Sequence, residues 1–209
     1  MAVNASRKRI GIIGGSFNPV HFGHLIVAQD AIEHLELSEV VFMPAAIPPH
    51  KQGLIQADSQ HRVKMLDLAV ESDIRFSVSD DEIQRGGISY TFDTVTELLE
   101  SQDGVELFLI VGSDTLIDLH NWYKVEGILE RCNIATFMRP GLDELDMVMG
   151  KVELPQAFRE QLRENVFSPH LIEISSSEIR MRVAEGLGIR YLVPSEVEMY
   201  IYEHGLYQV

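Results

Sequence analysis

Between residues 11 and 25 the chain reads Gly-Ile-Ile-Gly-Gly-Ser-Phe-Asn-Pro-Val-His-Phe-Gly-His-Leu, and its polar members are spaced for work on phosphate. The apolar run at 9–13 predicts a strand. Gly14 and Gly15 break it, Asn18-Pro19 turns the chain, and a helix starts near Phe22. Glycines let backbone amides come close to a ligand, because no Cβ stands in the way. The amides at a helix start carry the positive end of its dipole, which suits an anion. His21 and His24 are three apart and share one helix face, adding two imidazoles that stabilise charge on phosphate. Rival readings fail on spacing. A zinc site needs more ligands, yet the one cysteine is Cys132 and no acid stands at ligand spacing beside the pair. There is no G-x-G-x-x-G, and the strand predicted near 40–43 ends in Met43-Pro44 without a ribose-binding acid. A G-x-x-x-x-G-K-[ST] loop is absent too.

A second phosphate signal lies near the other end, in Ile174-Ser175-Ser176-Ser177-Glu178-Ile179-Arg180. Three hydroxyls between a strand and a helix predict another anion-binding N-terminus, with Arg180 one turn inside. The segments between carry weaker signals, each with a bland alternative. Pro48-Pro49-His50-Lys51 is a stiff loop bearing two cations. In Ser89-Tyr90-Thr91 the threonine suits an N-cap, with amides beyond it. Asp114, after Gly112-Ser113, suits a ribose hydroxyl or a helix cap. Trp122 and Tyr123 stand in a polar stretch and offer a flat aromatic face, although a lone tryptophan is usually core.

Apolar strands expected at 9–13, 39–43, 74–78, 106–111, 133–137 and 170–174 alternate with helices at 22–36, 60–71, 92–102, 123–130, 176–185 and 195–203. Such alternation predicts an α/β fold, a parallel sheet covered on both faces, with ligands at the carboxyl ends of its strands. The length of 209 residues suits one domain. The stretch 140–168 is the least strand-like. Pro140-Gly141 opens it and Pro155 starts a helix through Glu164, so it reads as a helical insertion.

The net charge of −15 argues against a nucleic-acid partner. It also repels any nucleotide, so local cations and a metal ion must offset it, and Mg²⁺ is the ion expected with a nucleoside triphosphate. No apolar run reaches membrane-spanning length, and the first nine residues lack the apolar stretch of a signal peptide. A single cysteine makes no internal disulfide. These features imply a cytoplasmic protein with no membrane association; a homo-oligomer is compatible with them.

The pattern G-x-F-x-P-x-H-x-G-H, together with I-S-S-[ST]-x-I-R, resembles the nucleotidyltransferase superfamily, which moves a nucleotidyl group from ATP or CTP onto a phosphate. Ser177 stands where threonine is usual and keeps the hydroxyl. The Pro-Pro-His-Lys loop, Ser-Tyr-Thr, Gly-x-Asp and Trp-Tyr segments are similar to those of the bacterial nicotinate-nucleotide adenylyltransferases. That resemblance runs from Ile10 to about Ile201 and implies a Rossmann-like open, mainly parallel sheet. It also implies transfer of AMP from ATP to nicotinic acid mononucleotide, giving deamido-NAD and pyrophosphate. His21, His24 and Arg180 are then the catalytic candidates. ATP falls to these three together with Gly14, Gly15, Ser16, Phe17, Asp114, Ser175, Ser176 and Ser177. The acceptor falls to Asn18, His50, Lys51, Tyr90, Thr91, Trp122 and Tyr123, and to Arg139, which matches a family arginine that meets substrate. Mg²⁺ comes with ATP and needs no dedicated protein ligands. The alternative acceptor is nicotinamide mononucleotide, alone or with dual specificity. Phosphopantetheine and glycerol phosphate, which have no pyridine ring, are disfavoured by Ser-Tyr-Thr and Trp-Tyr. A nucleotide-binding regulator without catalysis is the rival from another class.

Overall fold

The computed structural model describes residues 7–48, 57–102, 104–138, 145–168, 170 and 172–208. His50, Lys51 and Arg139 lie outside the described residues. The chain runs β1 (Lys8–Gly15), α1 (Phe22–Leu35), β2 (Glu39–Pro44), α2 (Ser59–Val70), β3 (Phe76–Val78), α3 (Asp81–Arg85) and α4 (Thr91–Ser101). It continues through β4 (Val105–Gly112), α5 (Ser113–Ile117), a 3-10 turn (Leu119–Asn121), α6 (Val125–Leu129) and β5 (Asn133–Phe137). The last elements are α7 (Leu145–Met149), α8 (Gln156–Glu164), β6 (Val166–Phe167), α9 (Ser176–Ala184) and α10 (Ser195–Glu203).

The six strands form one sheet in the order β3-β2-β1-β4-β5-β6, and every neighbouring pair is parallel. The chain winds outward from β1 to β3, then returns to β4 on the other side of β1. The winding reverses between β1 and β4, which leaves a crevice at their carboxyl ends. Side-chain alternation assigns the two faces. Ile13, Val40, Phe42, Phe108 and Ile110 point into a core shared with α1, α2, α9 and α10. Ile10, Ile12, Val41, Met43, Leu107 and Leu109 point into a second core with α4, α5, α6 and α8. Gly11 is required by this packing. A Cβ there would sit 2.7 Å from the Leu37 side chain and 2.8 Å from that of Ile110, which a close-packed interior does not accommodate.

One expected strand is misplaced. The described residues of 170–174 are irregular, and the sixth strand is Val166–Phe167, inside the stretch read as least strand-like. The reason is a competing partner. The buried carboxylate of Asp30 in α1 accepts from the His170 backbone N–H at 3.0 Å and pairs with its Nδ1 at 2.8 Å. An amide held by a helix side chain is not available to a sheet ladder. The expected strand at 74–78 is also trimmed to Phe76–Val78, and Ile74 stands fully exposed before it. Among the described residues no helix is long and apolar enough to cross a membrane.

Candidate active site

The first motif leaves the carboxyl end of β1. At Gly14 a Cβ would meet nothing within 4 Å, so the strand opens outward there. Ser16 begins a turn in which Phe17 takes a left-handed backbone (φ 45°) and the Asn18–Pro19 peptide is cis. A non-glycine residue at positive φ is uncommon. Phe17 holds it with a buried ring set edge-on to His24 (4.9 Å) and Phe42 (5.9 Å).

His21 is buried at the N-cap of α1, and its ring lies 3.7 Å from that of His24. The His21 backbone N–H donates to His24 Nδ1 at 3.2 Å. An accepting Nδ1 places the neutral ring's proton on Nε2, which makes that nitrogen the ring's donor. Gly23 between them has a steric role: a Cβ would lie 3.0 Å from His21 Nδ1. The Phe22 amide is not open as a ligand donor, because it donates to the Leu192 carbonyl at 3.1 Å.

The last motif closes on the same turn. Ser175 caps α9, its hydroxyl accepting from the Glu178 N–H at 3.1 Å. Ser176 Oγ donates to the Pro19 carbonyl at 2.8 Å, and an Arg180 guanidinium nitrogen donates to the Asn18 carbonyl at 2.8 Å. Arg180 also donates to Ser177 Oγ at 3.3 Å. Hydrogen-bond accounting divides the three serines. Ser176 spends its one proton on the protein and acts as an anchor of the turn. Ser175 and Ser177 accept in these bonds, so their protons are not used in them. Arg180 retains further donors.

The segments expected for the acceptor are brought together in part. Ser89 Oγ accepts from the Ala46 N–H at 2.9 Å, and the Ser89 N–H donates to the Ile47 carbonyl at 3.0 Å. The chain before His50 is thereby stitched to Ser-Tyr-Thr. Thr91 is not the cap it was expected to be. Tyr90, in an extended conformation, is the N-cap of α4, and Thr91 is its first residue. The carbonyl of Tyr90 accepts from the amides of Asp93 and Thr94, so the helix begins one residue early. The aromatic surface also differs in membership. Trp122 is half-buried against the second core, while the exposed Tyr123 ring lies 4.7 Å from Tyr90. Lys124 Nζ stands 4.9 Å from the Tyr123 ring centre, close enough for a cation–π contact. Asp114 is exposed in the first turn of α5, just after β4 and so beside the crevice. Asn18 is buried, and its Oδ1 accepts from the Ala57 N–H at 3.1 Å and the Tyr207 hydroxyl at 2.8 Å.

Two residues under the turn were not anticipated. Arg62 of α2 donates to the Ser16 carbonyl at 2.9 Å while only 2% exposed. Tyr207, near the chain's end, holds Asn18; burial pushes its phenol well above the ordinary value, against the pull of Arg180 and Arg62. A signal for Arg62 existed. It shares a helix face with Met65, Leu66 and Ala69, where a cation is out of place. Nothing in the local sequence marks Tyr207.

Residues 12–182 match the family model described as Cytidylyltransferase-like. A probable nicotinate-nucleotide adenylyltransferase of Desulfitobacterium hafniense (strain Y51) is 41% identical over 210 residues, covering all of both chains. One from Thermomicrobium roseum is 42% identical over 201 residues, covering 96% of this chain and 92% of its own. The Plasmodium falciparum nicotinic acid mononucleotide adenylyltransferase complexed with NaAD superposes with a TM-score of 0.76 over 96% of this chain and 97% of that one. At 18% identity, that likeness is one of fold.

Proposed function

The chain belongs to the cytidylyltransferase-like family, among the nicotinate-nucleotide adenylyltransferases, and from that premise we propose that it transfers AMP from ATP to nicotinic acid mononucleotide, forming deamido-NAD and pyrophosphate in NAD synthesis. The observation that carries this reading is the junction of the two phosphate motifs, in which Arg180 and Ser176 grip the carbonyls of Asn18 and Pro19. His24, Arg180 and the start of α9 thereby surround one turn at the sheet's crevice.

The acceptor's phosphate supplies the nucleophile. Its second pKa is about 6, so it is largely dianionic at neutral pH and needs no strong base. One of its oxygens attacks the α-phosphorus of ATP in line. The bond from that phosphorus to the α–β bridging oxygen breaks, and pyrophosphate leaves with the electron pair. What the protein supplies is position and charge stabilisation. The Nε2–H of His24 donates to the oxygens where charge develops, and His21 packs behind it. Arg180 reaches the β- and γ-phosphates, with Ser175 and Ser177 as hydroxyl donors. Gly14, Gly15, Ser16 and Phe17 line the α-phosphate, and Asp114 takes the ribose.

Among the described residues no group of three or more His, Cys, Asp or Glu side chains is arranged to hold a metal ion. Magnesium enters with the triphosphate, as part of the substrate. The start of α4 faces the pyridine carboxylate, Tyr90 and Tyr123 flank the ring with Trp122 behind, and Asn18 sets the edge of the turn. His50, Lys51 and Arg139 lie outside the described residues, and their assignment to the substrates rests on the resemblance of their segments alone.

Pyrophosphate release from Mg-ATP, with mass detection of the dinucleotide, tests the reading. Deamido-NAD and pyrophosphate should appear in equal amounts with nicotinic acid mononucleotide, and neither without it. ATP binding with no pyrophosphate release would instead support a regulator.

A further inference from the structure

On the reading that the turn at 16–19 holds the phosphates of ATP, we propose that Arg62 is a positioning residue for that nucleotide, a buried cation that fixes the Ser16–Phe17 peptide and awaits the charge of the triphosphate. Its guanidinium is 2% exposed and donates to the Ser16 carbonyl at 2.9 Å. Among the described residues its Nε has no hydrogen-bond partner, and no carboxylate lies within ion-pair distance of it. Among the described residues the one carboxylate that acts on it is that of Asp58, exposed at the N-cap of α2 one turn earlier, while burial keeps the neighbouring Tyr207 phenol neutral.

Arginine stays protonated in proteins, although burial pulls this one down from its ordinary value. An interior cation without a carboxylate carries an uncompensated desolvation cost. A polyanion bound one peptide away lowers that cost, because the interaction passes through protein and not through water. The bond to Ser16 also has a direction. The Ser16–Phe17 peptide is trans, so its N–H points opposite to its C=O. Holding the carbonyl inward turns the Phe17 amide away from Arg62 and polarises it as a donor. Arg180 grips a second carbonyl of the same turn, that of Asn18, two residues on. Two guanidinium groups therefore hold the turn, and Arg62 is the one sealed from solvent.

The test is calorimetry on wild type, Arg62→Met and Arg62→Lys, using a non-hydrolysable Mg-ATP analogue and, separately, nicotinic acid mononucleotide, with thermal melting of each protein. Arg62→Met should bind the analogue at least about tenfold more weakly, and the mononucleotide within about threefold of wild type. Arg62→Lys, which keeps the charge and one donor, should recover most of the loss. A purely structural arginine would lower the melting temperature and weaken both ligands alike, or neither; either result overturns the proposal. If Arg62→Met does not fold, Arg62→Gln takes its place, retaining a donor without the charge. Wild-type affinity for the analogue in that variant overturns the proposal equally. Wild-type protein that binds the analogue but releases no pyrophosphate with the mononucleotide would sink adenylyl transfer and leave the Arg62 comparison standing. Wild-type protein that does not bind the analogue sinks both.

Discussion

His24 is oriented by its own helix: the N-cap amide of His21 fixes Nδ1, and Phe17 packs against the ring. On the proposed mechanism His24→Ala removes one donor to transition-state charge, together with one partly buried ring that Phe17 touches. It should lower kcat by at least about a hundredfold with little change in melting temperature. Near-normal kcat in steady-state kinetics would remove His24 from the chemistry. Gly23→Ala probes the same geometry from a position with no reactive group. Its Cβ would press His21 Nδ1 at 3.0 Å, and His21 is buried and has little room to yield. If His21 and His24 act as proposed, a displacement of a few tenths of an ångström in that pair should cost about tenfold in kcat. An unchanged kcat would show that the His21 ring can shift without consequence.

At the scale of elements, the sheet is fastened at the end remote from the site by Glu39. Its carboxylate accepts from Ser77 Oγ at 2.6 Å and from Lys8 Nζ at 3.0 Å, linking β1, β2 and β3. The Ser77 hydroxyl, helped by Lys8 and opposed by partial burial, holds this carboxyl below its ordinary range. A depressed folded pKa contributes stability above the unfolded pKa and loses it as pH falls through the folded one. Ser77→Ala should therefore cost about 1 kcal/mol near pH 7 and less near pH 3, where protonation of Glu39 weakens the bond. Urea titrations at the two pH values check this, and an equal cost at both would contradict it. The elements were largely legible because periodicity reports local packing. Five of the six expected strands stand where the apolar pattern put them, and the helix expected to start at Pro155 runs through Glu164. The exceptions have causes that periodicity does not report. Asp30 captures His170 across 140 residues of chain. α4 begins at Thr91 because the Tyr90 carbonyl accepts its first bonds, and Tyr90, not Trp122, pairs with Tyr123. The phosphate motifs were legible for another reason, since their chemistry depends on short fixed spacings. Tyr207 was not, because its contact with Asn18 spans 189 positions.

For the whole molecule the net charge of −15 sets the problem: an acidic protein must draw in two anionic substrates. The fold answers by gathering cations and helix starts at one end of the sheet, with Arg62 beneath the turn and Arg180 beside it. The same arrangement bears on the choice of acceptor. In the proposed site a pyridine carboxylate at the start of α4 would meet amide donors and the positive end of the helix dipole. A carboxamide brings no charge, and its NH₂ meets donors in one of its two orientations. Loss of a charge-assisted bond costs roughly 1.5–3 kcal/mol, or about ten- to a hundredfold. Competition between nicotinic acid mononucleotide and nicotinamide mononucleotide at fixed Mg-ATP is therefore the most direct measurement. Deamido-NAD should exceed NAD by at least about tenfold at equal acceptor concentrations, with one pyrophosphate released per dinucleotide formed. Equal yields of the two dinucleotides, or a preference for the amide, would contradict the carboxylate-binding role of α4 and with it the assignment of the acceptor.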